Sequence, residues 1–194
     1  TAMKEQRMIS LVIRSTKNKQ IQTIQATPLK VFVSTRTGRR YICVHNVKGQ
    51  RFSNIRLDQI KEVTLLEIDP SYEEHKIDLQ NNLPKVFGVS FGTERKNDHI
   101  KLTIFLDEKK EPYILDRLKK EGHGGTITNI HENTYVYEID VFDGNEMLPW
   151  IRTFIGRIIS FESNNEFLVR KFYRDLEEMK KLYDTREHIV RNNP

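Results

Sequence analysis

The stretch that decides the fold is "RTGRRYICVHNVKGQRFSNIRL", residues 36–57. The runs "RRYICVHN" and "RFSNIRL" have the residue types and spacing of strands, and "VKGQ" lies between them as a turn. Gly38, in the loop before the first run, is free to adopt a positive φ. The pattern predicts tightly connected antiparallel strands. The stretch is also rich in arginine, with Arg36, Arg39, Arg40, Arg51 and Arg56.

Neighbouring segments extend this pair to a small barrel. Two strand-like runs precede it, "IQTIQA" (21–26) and "LKVFVST" (29–35), and "IKEVTLLEI" (60–68) follows it. Several short strands with tight turns and no long helix between them are typical of a small antiparallel barrel or sandwich. Ahead of them, Met8, Leu11 and Val12 recur at i, i+3 and i+4, which predicts a short leading helix.

The second half has a different pattern. Residues 69–97 are polar and contain Pro and Gly, so we interpret them as a linker with one short helix near residues 73–79. From residue 98 the elements read strand, helix, strand, strand, helix, strand, which is the order of a ferredoxin-like domain. The predicted fold class is therefore α+β. A small Sm-like or SH3-type β-barrel (4–68) is followed by a linker (69–97) and a ferredoxin-like domain (98–194).

A long C-terminal helix completes the second domain. Its apolar positions recur at helical spacing and form one stripe. The members of the stripe are Leu168, Phe172, Leu176, Met179 and Tyr183. Two alternatives explain it: the helix packs on its own domain, or it docks against a second protomer.

Composition excludes several classes of protein. The 194 residues are 37% hydrophobic and 30% charged, as in ordinary globular proteins, and the net charge of +5 mildly favours anionic partners. Cys43 is the single cysteine, so no internal disulfide forms and a structural thiol in a reducing compartment is expected. No apolar run approaches the roughly 20 residues of a membrane span and no signal peptide is visible, so we expect a cytoplasmic protein. We interpret residues 1–3 as a vector remnant ahead of an excised fragment.

Catalytic and metal sites are not indicated. The six histidines are scattered without zinc-ligand spacing, and no pair of carboxylates is placed for acid–base chemistry. "GHGG" (122–125) follows a predicted helix, whereas phosphate loops precede one, so it is a helix end. We therefore expect a protein that is not an enzyme and that carries no metal and no cofactor.

The residues of the barrel resemble a known family. In "RRYICVHN", Arg40, Tyr41 and Ile42 stand where the WYL-domain proteins of bacteria have Trp-Tyr-Leu. Residues 53–60, "SNIRLDQI", are similar to a later family signature, Arg-x-Phe-Arg-Leu-Asp-Arg-Ile. Ser53 and Gln59 replace two of its basic positions, and Arg51 lies on the same face of the strand as Ser53. The second half, with "MLPWIRTFIGRIISFES" (147–163), looks like the C-terminal extension domain that accompanies WYL.

The resemblance implies a function. WYL domains are Sm-like barrels that act as sensors in transcription regulators, usually behind an N-terminal winged helix-turn-helix. Some are thought to bind single-stranded nucleic acid or nucleotides through basic residues of the barrel. The chain is thus expected to sense an anionic effector of this kind, to form a homodimer, and to reach DNA through an N-terminal domain that this sequence does not contain.

Strand alternation predicts which residues bind the effector. Tyr41 and His45 share one side of their strand, whereas Ile42 and Val44 share the other side, which we expect to face the core. Tyr41 and His45 would then point outward among arginines, where an aromatic ring stacks on a base and guanidinium groups hold phosphate. The candidate site residues are Arg39, Arg40, Tyr41, His45, Arg51, Ser53 and Arg56.

Two alternatives to an effector site remain. The arginines could be solvated charges that protect strand edges from pairing with other chains. The barrel could also be a scaffold whose basic face contacts an acidic protein, such as a subunit of RNA polymerase.

Overall fold

The computed structural model describes residues 1–15, 19–35, 37–92 and 96–191, with side chains of the last helix described as far as residue 184. Arg36 lies outside these residues. The chain forms two compact units, Thr1–Thr93 and Glu94–Pro194. Within the described residues it has two antiparallel sheets and four α-helices, so the predicted α+β class is confirmed.

The first unit contains a five-stranded antiparallel sheet. Its strands are β1 (Arg7–Arg14), β2 (Ile21–Val33), β3 (Arg40–Asn46), β4 (Arg51–Arg56) and β5 (Ile60–Ile68). The spatial order is β4-β3-β2-β1-β5, and a single 3-10 turn, Leu57–Gln59, joins β4 to β5. A four-strand meander whose fifth strand returns to pair with the first is the arrangement of an SH3-type barrel.

The long strand β2 holds this sheet together. Residues 21–26 of β2 pair with β1, and the half from Ala26 onward pairs with β3. The register shifts between Pro28 and Lys30, where proline cannot donate a ladder hydrogen bond. The first half of β2 therefore pairs with β1 and its second half pairs with β3. The hydrophobic core of the barrel is formed by Ile9, Leu11, Ile13, Ala26, Ile42, Val44 and Ile55.

The predicted leading helix is wrong, because residues 7–14 form strand β1. Met8, Leu11 and Val12 do have helical spacing, but Ile9, Leu11 and Ile13 alternate as well, and these three are the residues that are buried. A segment this short and rich in β-branched residues satisfies both periods. Pairing with β2 and β5 on either side decides in favour of the strand.

The polar stretch after β5 belongs to the first unit. Helix α1 (Tyr72–Asn82) contains the short helix predicted near residues 73–79, and a 3-10 turn, Leu83–Lys85, follows it. Tyr72 and Leu79, two turns apart on α1, are buried. This helix is therefore packed against other residues along one side.

The second unit has the predicted ferredoxin-like order. Its elements are β6 (Asp98–Phe105), α2 (Pro112–Glu121), β7 (Thr126–His131), β8 (Thr134–Val141), α3 (Leu148–Ile151), β9 (Ile158–Ser163) and α4 (Glu166–Arg191). The sheet order is β7-β8-β6-β9, with β6 antiparallel to both of its neighbours. Pro112 begins α2, as expected from its fixed φ, and Gly122 ends it at a place where a Cβ atom would collide with the Leu118 carbonyl oxygen and the Tyr137 ring.

The helices of this unit cover one face of its sheet. The Tyr137 hydroxyl on β8 donates a 2.7 Å hydrogen bond to the carbonyl oxygen of Gly122 at the end of α2. The Tyr137 ring centroid lies 5.4 Å from that of Trp150 on α3, and Phe161 on β9 lies 4.8 Å from Phe172 on α4. Tyr137 and Phe161 flank Leu102 of β6 in register, so all three helices share its face.

The apolar stripe of α4 is buried at its beginning only. Leu168 and Phe172 are almost completely buried, Leu176 and Met179 are half-buried, and Tyr183 is 62% exposed. Packing of α4 on its own domain thus accounts for the apolar residues in its first turns. Although α4 has 26 residues, no helix of the described chain is long and apolar enough to cross a membrane.

Two leucines of α4 provide a matched test of this packing. Leu168 is 0% exposed and Leu182 is 71% exposed. Because truncating a buried leucine removes apolar contacts and leaves a cavity, Leu168→Ala should lower the free energy of unfolding by about 2–5 kcal/mol. Leu182→Ala should change it by less than about 0.5 kcal/mol. The fluorescence of Trp150, the single tryptophan, reports unfolding of this unit in denaturant; equal effects would contradict the packing.

Candidate functional site

Strand β3 is buried on both of its faces. Ile42 and Val44 face the barrel core, as predicted. Tyr41, Cys43 and His45 lie on the opposite side, also as predicted, but they are 6%, 2% and 8% exposed. The prediction that Tyr41 and His45 point outward to solvent is therefore wrong.

A segment distant in sequence covers this second face. The His75 ring of α1 stacks on the His45 ring with 3.8 Å between centroids. Beyond α1, Phe91 lies 5.5 Å from Phe52 of β4, and the Val89 carbonyl oxygen accepts a 2.7 Å hydrogen bond from Asn54 Nδ2. Residues 72–92, called the cover below, thus pack on the side chains of β3 and β4.

Polar groups are buried beneath the cover. Thr27 of β2 is 1% exposed, His45 is 8% exposed and Asp69, between β5 and α1, is 7% exposed. The Thr27 hydroxyl donates to Asp69 Oδ2, and Ser71 N donates to Asp69 Oδ1 at 2.9 Å. His75 Nε2 lies 3.7 Å from Asp69 Oδ2. Burial lowers the pKa of His45, and the nearby His75 lowers it further.

Arg56 shares the covered face but already has a partner. It forms a two-point contact with the Asp58 carboxylate, in which Arg56 Nε donates to Oδ1 at 3.0 Å. This hydrogen bond raises the pKa of Arg56 and lowers that of Asp58. Tyr41, opposite Arg56 in register, stacks on Phe32 with 5.5 Å between centroids. These side chains stabilise the end of the barrel.

The remaining predicted residues lie elsewhere. Arg51 and Ser53 pair in register with Asn46 and Val44, so they are on the core side of β4. Ser53 is half-buried there, and Arg40 is exposed at the start of β3. Arg39 is exposed in the loop before it. The seven predicted residues therefore do not form one surface.

Arg51 lines a cleft that sequence reasoning did not predict. The cleft has a volume of about 510 Å³ and lies between the first half of β2 and the β3–β4 turn. Among the residues that the structure describes, eight line it, and the two charged ones, Lys48 and Arg51, are both cations. The others are Thr23, Ile24, Gln25, Asn46, Val47 and Gly49. The signal available in the sequence was Lys48 beside Gly49 in a predicted turn.

Backbone and side-chain hydrogen bonds fix the shape of the cleft. Val47 N donates to Gln25 O at 3.1 Å, which ties the turn to β2. Gly49 N donates to Asn46 Oδ1 at 3.1 Å, and Gln50 Nε2 donates to Val47 O at 2.7 Å. A Cβ atom on Gly49 would lie 3.4 Å from Arg51 Cγ, so the stem of Arg51 runs along the turn. The two cations thus extend from an ordered turn.

The face of the second sheet opposite its helices is less suited to an anion. It places Lys101 between Glu138 and Glu162, and His99 Nδ1 lies 3.0 Å from Asp140 Oδ1. No group of three or more His, Cys, Asp or Glu side chains in the described residues is arranged to hold a metal ion. We take the cleft of the first unit as the candidate site, because both of its charged lining residues are cations.

No family model and no curated protein matches the sequence. Among solved structures, the chain is similar over 95% of its length to a CRISPR Cas-related protein, with 12% identity and a TM-score of 0.60. That likeness shows the fold alone. A likeness to proteasome accessory factor B/C (PafBC) of Arthrobacter aurescens covers 88% of this chain at 13% identity, with a TM-score of 0.38. The chain spans 49% and 24% of these two proteins, respectively.

The single cysteine tests whether the second face of β3 is covered. Burial raises the pKa of Cys43 to about 12, against about 8.5 for a free thiol. Because the thiolate is the reactive form, we expect Cys43 to react with Ellman's reagent at pH 8 at least ~100-fold more slowly in the folded protein than in guanidinium chloride. Labelling at the rate of the unfolded chain would show that this face is open.

Proposed function

We propose that the chain is the effector-sensing region of a WYL-type transcription regulator, and that it binds an anionic effector without catalysing a reaction. The effector is a nucleotide or a single-stranded nucleic acid. The single observation that carries the proposal is the cleft beside the β3–β4 turn, in which both charged lining residues, Lys48 and Arg51, are cations.

The cleft offers the contacts that such an effector needs. The planar guanidinium of Arg51 suits paired phosphate oxygens, and the ammonium group of Lys48 adds a point charge. Ile24 and Val47 supply apolar contact area, and the Gln25 amide supplies a donor and an acceptor for a base edge. The volume of about 510 Å³ is within the usual range for small-molecule sites.

The resemblance to WYL proteins also supports the proposal, although its matched positions are structural. Arg56 pairs with Asp58, while Leu57 and Ile60 pack against the barrel core. The "RLDQI" signature thus builds the 3-10 turn from β4 into β5. In this interpretation the signature maintains the barrel, and Lys48 and Arg51 bind the effector.

The proposal includes the partners that the resemblance implies. A DNA-binding domain elsewhere in the protein would respond to the effector, and the protein would act as a homodimer. Tyr183, which is exposed, and Met179, which is half-buried, lie at the far end of the α4 stripe and supply apolar surface for contact between protomers. Effector binding would then favour one arrangement of the dimer.

Binding of single-stranded oligonucleotides and nucleotides, measured by fluorescence anisotropy over a range of salt concentrations, tests the proposal. The double variant Lys48→Ala/Arg51→Ala should weaken oligonucleotide binding by about tenfold or more at low salt. It should reduce the magnitude of the log Kd against log salt slope by roughly 1.4, because each lost phosphate contact accounts for about 0.7 on a single strand.

The control removes the same charge from another place. Lys119→Ala/Lys120→Ala lowers the net charge equally, and both lysines are exposed near the end of α2. Binding by this variant should be unchanged, and Arg56→Ala should have a smaller effect than Arg51→Ala because Arg56 does not line the cleft. No binding at low salt would contradict the proposed effector site and would favour a scaffold for an acidic protein. Equal loss of binding in the two double variants would contradict the cleft as the place where the effector binds.

A further inference from the structure

Four polar side chains, three of them buried and one half-buried, meet where the barrel joins its cover. Thr27 comes from β2, His45 from β3, Asp69 from the corner after β5 and His75 from α1. Asp69 is the shared partner, since it accepts from the Thr27 hydroxyl and lies 3.7 Å from His75 Nε2. The only ring contact from α1 to β3 that we find in the described residues is the stack of His75 on His45.

We infer that Thr27, His45, Asp69 and His75 form a pH-sensitive latch, which holds the cover on the barrel at neutral pH and loosens it under mildly acidic conditions. The inference does not depend on the proposed effector, because none of these four residues lines the cleft.

The imidazoles of His45 and His75 lie too close together for both to carry a positive charge without a large cost in free energy. Their ring centroids are 3.8 Å apart and their planes are 24° from parallel. Two charged imidazoles at this distance repel each other strongly in a buried site, where water screens them poorly. The Asp69 carboxylate lies 3.7 Å from His75 Nε2, whereas His45 has no carboxylate within ion-pair distance in the described residues.

The groups around the pair set the direction of the effect. From α1, His75 and Asp78 act on His45; from the corner after β5, Asp69 does so. From β2 the neighbour is Thr27 and from β4 it is Phe52, which makes an edge contact with His45 at 5.5 Å, and neither side chain is charged. Burial and His75 lower the pKa of His45, and the two carboxylates oppose this. The closed state therefore disfavours the protonated form.

Acid should loosen the cover, because the closed state disfavours protonated His45. With the cover open, His45 would be in water and would titrate near pH 6.5. Above that pH the imidazole is neutral in both states and the latch is fully formed. As the pH falls below about 6.5, the open state binds a proton before the closed state does, so the cover loosens by up to about tenfold per pH unit for each proton involved. The effect stops once the closed state is also protonated.

Cys43 makes the opening measurable in the full chain. It is buried on the covered face, between Tyr41 and His45 in the same row of β3. Labelling with 4,4′-dithiodipyridine, which reacts in acid, is normalised at each pH to the rate for glutathione, so that the ionisation of a free thiol cancels. For the natural sequence, we expect the normalised rate to rise about three- to tenfold between pH 7.5 and pH 5.5. Hydrogen exchange of peptides from residues 72–92 should accelerate in parallel.

Substitutions separate a latch from ordinary packing. His45→Phe keeps an aromatic ring but cannot take up a proton, so the rise should shrink to less than about twofold. His75→Phe leaves the buried His45 in place and removes only the second cause that lowers its pKa, so its rise should be smaller than that of the natural sequence and larger than that of His45→Phe. Asp69→Asn removes the charge that favours a protonated imidazole in the closed state, so the rise should become steeper. His131→Gln, at an exposed position in the second unit, should behave like the natural sequence.

The readout is the change with pH, not the absolute rate, so variants of reduced stability remain informative if circular dichroism shows them folded at pH 7.5. A normalised rate that stays within twofold across this range would overturn the inference. Retention of the full rise in either His→Phe variant that folds would also overturn it, as would a flatter profile for Asp69→Asn.

Discussion

Burial of both faces of β3 is the constraint on which the first unit depends. An isolated five-stranded sheet needs only one covered face, and the barrel core provides that for Ile42 and Val44. Tyr41, Cys43 and His45 need a second layer, which α1 and residues 86–92 provide. The polar stretch after β5 is therefore an essential layer of the unit.

The second layer, formed by α1 and residues 86–92, leaves the polar side chains of Thr27, His45 and Asp69 buried, so they need hydrogen-bond partners. A buried hydroxyl, carboxylate or imidazole without a hydrogen bond costs on the order of 1–3 kcal/mol, and a charged one costs more. Asp69 reduces this cost for several groups together, because it accepts from both Thr27 and Ser71 and lies beside His75. Its position at the corner between β5 and α1 also fixes the direction in which the chain leaves the barrel.

Local pattern predicted most of the strands, the ferredoxin-like order and the core side of β3, because turn residues and alternation are local properties. It was wrong for β1, where eight residues fit two periods and pairing with both neighbouring strands decided the outcome. It was also wrong about the exposure of Tyr41 and His45, because their cover lies about 30 residues away in sequence and has little apolar periodicity of its own. The sequence showed Lys48 beside Gly49 in a turn but did not show the other wall of the cleft, since β2 and the β3–β4 turn come together only through the barrel.

The arginines of residues 36–57 that the structure describes are spread over different parts of the barrel. A sequence rich in arginine suggests one basic surface, but Arg56 is paired with Asp58, Arg40 is exposed at the start of β3, and Arg51 lies along a turn at its other end. Because the strand alternates, charges that are close in sequence are divided between faces and ends of the barrel. The local field at the cleft then depends on Lys48 and Arg51, and the positive net charge of the chain contributes mainly by attracting anions from a distance.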